Sequence, residues 1–175
     1  MTGAVTYANT ANTPLSGLIL NLKNAGGTIV GTTTTNATGN YTFSTVAPGS
    51  YTLEVSTAKP WGGVSAADVL LYRKHIANIS LLTGIYLASG DVNGSGSLSA
   101  ADVLLIKKRI ASITNSFPVG DWFFNNTPFT VGSGTVTQNF KGIVYGDANG
   151  SYIPAANKSL AHNFRGAISL SLIHI

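Results

Sequence analysis

The sequence predicts an α+β chain: an antiparallel β-sandwich, then two loop–helix units, then a further small β region. Three observations carry this. Apolar residues alternate with a period of two over residues 1–57, switch to helical spacing over 58–114, and return to short strand-like runs over 115–156. With 175 residues, 44% of them hydrophobic, the chain has the material for a real core.

In the first segment Leu18, Leu20 and Leu22 share one face of an extended chain, as do Tyr41 with Phe43, and Tyr51 with Leu53 and Val55. The turn signals "NAGG", "NATGN" and "APGS" divide these runs, so the segment reads as several antiparallel strands. The text "PLSGLILNL…TTTTNATGNYTFSTVAPGSYTLEV" resembles the carboxypeptidase-regulatory-like and collagen-adhesin B-type modules of secreted bacterial proteins. The resemblance implies an Ig/prealbumin-like sandwich that serves as a spacer or stalk. It also makes Gly39, Tyr41, Phe43, Pro48 and Tyr51 core and turn residues.

In the second segment Val69, Tyr72, Ile76 and Ile79 form a helical stripe, and Val103, Ile106, Ile110 and Ile113 repeat it with the same steps. Residues 64–80 and 98–114 agree at 11 of 17 positions at an offset of 34, an internal duplication. Two matching amphipathic helices are expected to pack together. The third segment, "DWFF", "PFTV", "TVTQNF" and "GIVY", leaves two arrangements open: a small sheet of its own, or strands that complete the first sandwich.

Ahead of the second helix, oxygen donors fall at alternate positions. Counted from Asp91, positions 1, 3 and 5 are Asp91, Asn93 and Ser95, position 6 is Gly96, position 8 is Leu98, position 9 is Ser99 and position 12 is Asp102. This is the arrangement of a twelve-residue calcium loop. Alternate side chains on a curling backbone converge on one point, glycine allows the sharp turn, and the helix start returns Asp102 to that point. The ligands would be the side chains of Asp91, Asn93, Ser95 and Asp102 and the carbonyl of Ser97, with Ser99 acting through a water. Two carboxylates balance one Ca²⁺, and a flexible set of oxygens suits calcium better than magnesium. The plainer reading is a turn followed by a capping box made by Ser99 and Asp102.

The first unit has Thr57, Lys59 and Trp61 at positions 1, 3 and 5, so it lacks the ligands. There Ser65 and Asp68 read as a capping box alone, with Trp61 filling the vacated space. A third echo, "GDANGSYIPA", sets Asp147, Asn149 and Ser151 at alternate positions, but Tyr152 replaces the glycine and Lys158 falls at position 12. It reads either as a tight turn or as a partial calcium site completed by another segment, for which Asp121 is the candidate.

Paired loop–helix units of this kind resemble the type I dockerin, strongly in "DVNGSGSLSAADVLLIKKRI" and partially in the first unit. The resemblance implies calcium as the cofactor and docking onto a cohesin-like partner through helix residues beside each loop. By position these are Ala100, Ala101, Lys107, Lys108 and Arg109, with Ala66, Ala67, Arg73 and Lys74 in the first unit. The chain departs from that family in keeping one intact loop and in carrying alanine pairs where hydroxyl residues are usual. The combination with a sandwich is similar to C-terminal regions of large secreted bacterial proteins, which links the chain to polysaccharide through a parent protein.

Composition narrows the function classes. The absence of cysteine removes disulfides, zinc–thiolate sites and thiol nucleophiles. The formal charge of +4 reflects scarce acids, 6 against 10 basic residues, and no aromatic-lined basic stripe points to nucleic acid. No run is apolar enough to span a membrane, and a signal peptide for the expected extracellular or cell-surface location is expected upstream of Met1. His75 and His162 have no nucleophile or orienting acid near them in sequence, so a non-catalytic module is expected. The alternative is a carbohydrate-binding module in which Trp61, Trp122, Phe123 and Phe124 stack on sugar rings. The tail 157–175 fits no pattern, and its last six residues, "LSLIHI", read as translated sequencing adapter, so His174 carries no functional weight.

Overall fold

The computed structural model describes residues 1–155. Lys158, His162 and the "LSLIHI" end lie outside the described residues. In chain order the elements are β1 (Thr2–Tyr7), β2 (Ile19–Asn24), β3 (Ile29–Thr34), β4 (Asn40–Thr42), β5 (Gly49–Ser56), α1 (Ala66–Ile76), α2 (Gly84–Ala88), α3 (Ala100–Ile110), β6 (Trp122–Phe124), β7 (Phe129–Val131) and β8 (Phe140–Val144).

The strands form two four-stranded sheets, ordered β4-β1-β8-β6 and β3-β2-β5-β7. Alternation sends Leu20 and Leu22 of β2 and Tyr51 and Leu53 of β5 inward. They meet Val5, Tyr7, Tyr41, Phe140, Ile143 and Val144 from the facing sheet in one core, so the α+β sandwich expected from the sequence is observed. β6 and β8 join the first sheet and β7 the second, so the strands of 115–156 return to the sandwich. β8 pairs with β1 in parallel, Val5 opposite Phe140, a pairing that requires a long crossover between the two strands. Gly39 has φ +76°, and a Cβ there would stand 2.5 Å from the Val5 carbonyl oxygen, so the turn before β4 accepts only glycine.

Both long helices begin with a capping box, Ser65 with Asp68 for α1 and Ser99 with Asp102 for α3. The two helices are in contact, and Val69, Tyr72, Val103 and Ile106 share a second core with Val92, Phe117 and Ala148. The stripe ends earlier than its spacing predicts. Each helix closes with a left-handed residue, Asn78 (φ 55°) or Ser112 (φ 56°), and the amides of Ile79 and Ile113 bond back to Lys74 and Lys108. Ile79 and Ile113 therefore lie past the helix ends and are exposed, 73% and 71%, rather than continuing the buried face. The short α2 carried no periodic signal. It is pinned to the sandwich by Tyr86, whose hydroxyl donates to the Ala8 carbonyl at 3.0 Å.

Candidate metal centre

The loop from Asp91 to Asp102 closes on itself as the spacing requires. Gly94 (φ 73°) and Gly96 (φ 89°) take left-handed conformations that curl the backbone. Asp91 accepts from Ser95 N at 3.0 Å and Gly96 N at 2.7 Å through different carboxylate oxygens. Asn93 Oδ1 accepts from Ser95 N at 2.9 Å, and Ser95 Oγ stands 3.1 Å from the Ser97 carbonyl oxygen. Asp102 reaches back from α3: its Oδ1 accepts from Asn93 N at 3.1 Å, and its Oδ2 accepts from Ser99 N at 2.9 Å and Ser99 Oγ at 2.8 Å. The capping box and the loop closure are thus the same contact set, and Asp102 serves both.

These residues fit a hard divalent cation. Asp91 Oδ2 and Asp102 Oδ1 each accept a single loop amide and keep a lone pair for a cation. Asp102 is fully buried, and among the described residues the ion pairs join Lys23 to Glu54 and Arg109 to Asp121, neither touching this loop. A buried carboxylate without a cationic partner is costly unless something neutralises it, and all the donors here are oxygens. The loop is backed by Val92, fully buried in the second core, and by Leu98, which packs against that core as anchor. His75 does not take part: its Nδ1 accepts from Leu82 N at 3.0 Å.

The other residues singled out in the sequence fall as follows. Asp147, Asn149 and Ser151 lie on one tight loop, with Ser151 N donating to Asp147 Oδ1 at 3.2 Å and to Asn149 Oδ1 at 2.7 Å. Asp147 is fully buried and also accepts from the Tyr7 hydroxyl at 2.6 Å. Burial pushes its carboxyl above the usual carboxylate range. Asp121 does not face this loop; it pairs with Arg109 at 2.7 Å. The carboxylate that does face it is Asp68, whose Oδ1 accepts from Ala148 N at 3.0 Å and Asn149 N at 3.3 Å. Sequence reasoning missed this partner. Lys59 is buried, its ammonium donating to the Ala155 carbonyl at 2.9 Å.

Trp61 does not fill a vacated loop. Its indole donates to the Tyr145 carbonyl at 2.8 Å, and its ring lies edge-on to Phe117. Arg109 also departs from its expected role beside a partner. It is 6% exposed, with its guanidinium 4.2 Å from the Trp61 ring centre and 4.5 Å from that of Phe117, so it belongs to the interior. Ala66, Ala67, Arg73, Ala100, Ala101 and Lys107 are exposed, while Lys74 and Lys108 are half-buried. Leu70 and Leu104, equivalent at the offset of 34, are 52% and 53% exposed between these alanine pairs and the basic turns. The aromatic side chains considered for sugar stacking are engaged in packing: Trp122 stacks on Phe124 and meets Tyr7 edge-on, and Phe123 meets Tyr145.

Residues 62–111 match the family model of the type I dockerin domain, and residues 6–69 match that of the SdrD B-like domain. The sandwich end of the chain is similar to the second family and the helix pair to the first. No curated protein matches it. Type I dockerin domains bind calcium and dock onto cohesins, and both families are non-catalytic modules found in secreted or surface proteins. The dockerin match begins at Gly62, after the segment Thr57–Trp61 that lacks loop ligands. Among the described residues no helix is long and apolar enough to cross a membrane.

Proposed function

We propose that this chain is a non-catalytic, calcium-stabilised module of an exported bacterial protein, with the sandwich as spacer and the dockerin unit as its docking face. The observation that carries the reading is the closed ring of oxygens from Asp91, Asn93, Ser95, the Ser97 carbonyl and Asp102, in which Asp102 is buried and takes part in neither ion pair found among the described residues. Calcium at about 100 times its dissociation constant adds roughly 2.7 kcal/mol to folding. That is a large share of a typical total of about 5–15 kcal/mol.

The docking face is the outer surface of the two helices: Ala66, Ala67 and Leu70 on α1, Ala100, Ala101 and Leu104 on α3, with Arg73, Lys74, Lys107 and Lys108 further along. An exposed leucine between small residues, beside basic turns, suits a cohesin-like protein with an apolar centre and an acidic rim. Polysaccharide enters this reading only through the parent protein.

Calorimetric melting in calcium and in chelator tests the stabilising role. Chelation is expected to lower the Tm, and Asp91→Ala to remove this loop's share of the shift; a melting curve unmoved by chelator counts against the reading. Titration of a type I cohesin onto the chain and onto Leu70→Glu/Leu104→Glu tests docking. Binding that the double variant retains, or a wild-type chain that does not bind, removes the cohesin assignment.

A further inference from the structure

We infer that residues 146–152 and 63–68 together build a second calcium site, a twelve-position loop whose first half comes from the far end of the chain. The two halves meet at Asp68, where Ala148 N donates to a carboxylate 80 residues earlier in the chain.

The backbone-amide contacts that close the continuous loop have their counterparts here. Asn93 N donates to Asp102 Oδ1 at 3.1 Å, and Asn149 N to Asp68 Oδ1 at 3.3 Å. Ser99 N donates to Asp102 Oδ2 at 2.9 Å, and Ser65 N to Asp68 Oδ2 at 2.8 Å. Ser95 N reaches Asp91 and Asn93, and Ser151 N reaches Asp147 and Asn149. Position 6 donates to the second oxygen of position 1 in both cases, Gly96 to Asp91 at 2.7 Å and Tyr152 to Asp147 at 3.3 Å. The text agrees, "GDVNGS" at 90–95 and "GDANGS" at 146–151.

The packing around the loops repeats as well, and independently of those hydrogen bonds. A Cβ on Gly90 would meet Tyr72 and Leu98; a Cβ on Gly146 would meet Ile106 and Val64. Tyr72 and Ile106 are equivalent at the offset of 34, as are Val64 and Leu98. Each loop therefore leans on its own unit's anchor and on the other unit's helix, as two halves of a two-fold arrangement do. Val92 and Ala148, at position 2 of the two loops, are buried in the same core. Where the continuous loop runs from Gly96 to Ser97, the split one has Tyr152 abutting Gly63, so closely that a Cβ on Gly63 would stand 2.4 Å from the Tyr152 Cβ.

Charge supplies the reason for an ion. Asp68 and Asp147 are both fully buried, and the ion pairs among the described residues involve neither. A turn and a helix cap need no second buried carboxylate, whereas a divalent cation balances two. By position the ligands are the side chains of Asp147, Asn149, Ser151 and Asp68 and the carbonyl of Gly63. Such an ion straps the end of β8 to the start of α1, tying the dockerin unit to the sandwich. The first unit then keeps its site, because a segment from elsewhere supplies the oxygens that Thr57, Lys59 and Trp61 do not.

The inference uses the Asp91 loop as its template and so rests on the reading of that loop. Calcium stoichiometry of the full chain, by calorimetric titration checked by native mass spectrometry, separates the two. The wild type is expected to bind two ions, Asp91→Ala one, Asn149→Ala/Ser151→Ala one and the combination none. The Asn149/Ser151 variant spares Asp68, Asp147 and Tyr7, and near-ultraviolet circular dichroism checks that it folds. As a gain of function, Asn149→Asp is expected to bind the second ion at least tenfold more tightly. One ion in the wild type, lost with Asp91→Ala and kept by Asn149→Ala/Ser151→Ala, overturns this inference and leaves the proposed function standing. One ion lost only with Asn149→Ala/Ser151→Ala overturns the reading of the Asp91 loop instead, and no ion in the wild type overturns both.

Discussion

Replacing Arg109 distinguishes an interior keystone from a docking residue. Its guanidinium lies 4.2 Å from the Trp61 ring centre and 4.5 Å from that of Phe117, and pairs with Asp121 at 2.7 Å. A desolvated cation–π contact contributes about 1–2 kcal/mol and an exposed one about half that. The Asp121 side chain is 38% exposed, so solvent screening limits the ion pair to about 1 kcal/mol or less. Together these give about 2–4 kcal/mol for Arg109→Ala. Arg109→Lys is expected to recover only part, because an ammonium keeps the charge but not the flat face that stacks. With a urea m-value of about 2 kcal/mol/M, the midpoint in calcium-saturated buffer moves down by about 1–2 M for the alanine variant. A double-mutant cycle with Asp121→Ala isolates the ion pair. A midpoint for Arg109→Ala within about 0.3 M of wild type would refute the reasoning and return Arg109 to the outer face.

Gly63→Ala meets both a left-handed backbone (φ +76°) and the Tyr152 side chain, whereas Gly96→Ala meets only the backbone (φ +89°) with open space around it. The first is expected to cost about 3 kcal/mol and the second about 1–2 kcal/mol by chemical denaturation; equal costs would mean that Tyr152 does not abut Gly63. Glu54 is held below the usual glutamate range by its hydrogen bond from Lys23, then that from Asn21, with the Lys23 charge adding to them. Its pKa is lowered on folding, so its stabilising contribution is present above the unfolded-state value and lost as pH falls through the folded one. An NMR titration of the Glu54 carboxyl should show the low midpoint and its return to the ordinary range in Lys23→Ala; an identical midpoint in both would count against the cross-strand bond.

The parts legible in the sequence were those in which spacing along the chain decides the geometry. The duplicated helices, the capping boxes at Ser65 and Ser99 and the ring from Asp91 to Asp102 are each set within a dozen residues. What escaped depends on distant segments meeting. The parallel pairing of β1 with β8 rests on Val5 and Phe140, and no local pattern predicts their meeting. Position on the dockerin-like helix assigns Arg109 to a partner face, yet the aromatic rings of Trp61 and Phe117 lie against it. Ile79 and Ile113 kept the helical step in the text, but a left-handed residue before each takes it off the helix. For the loop at Asp147 the signal was present: it repeats the text of the Asp91 loop, and Asp68 is a position-12 acid with no ligand-bearing loop before it.

The account turns on calcium held by the continuous loop, and anomalous diffraction from crystals grown in millimolar calcium tests that most directly. The predicted result is a peak about 2.3–2.6 Å from oxygens of Asp91, Asn93, Ser95, Asp102 and the Ser97 carbonyl. A well-ordered loop with no anomalous peak among those five oxygens would contradict it.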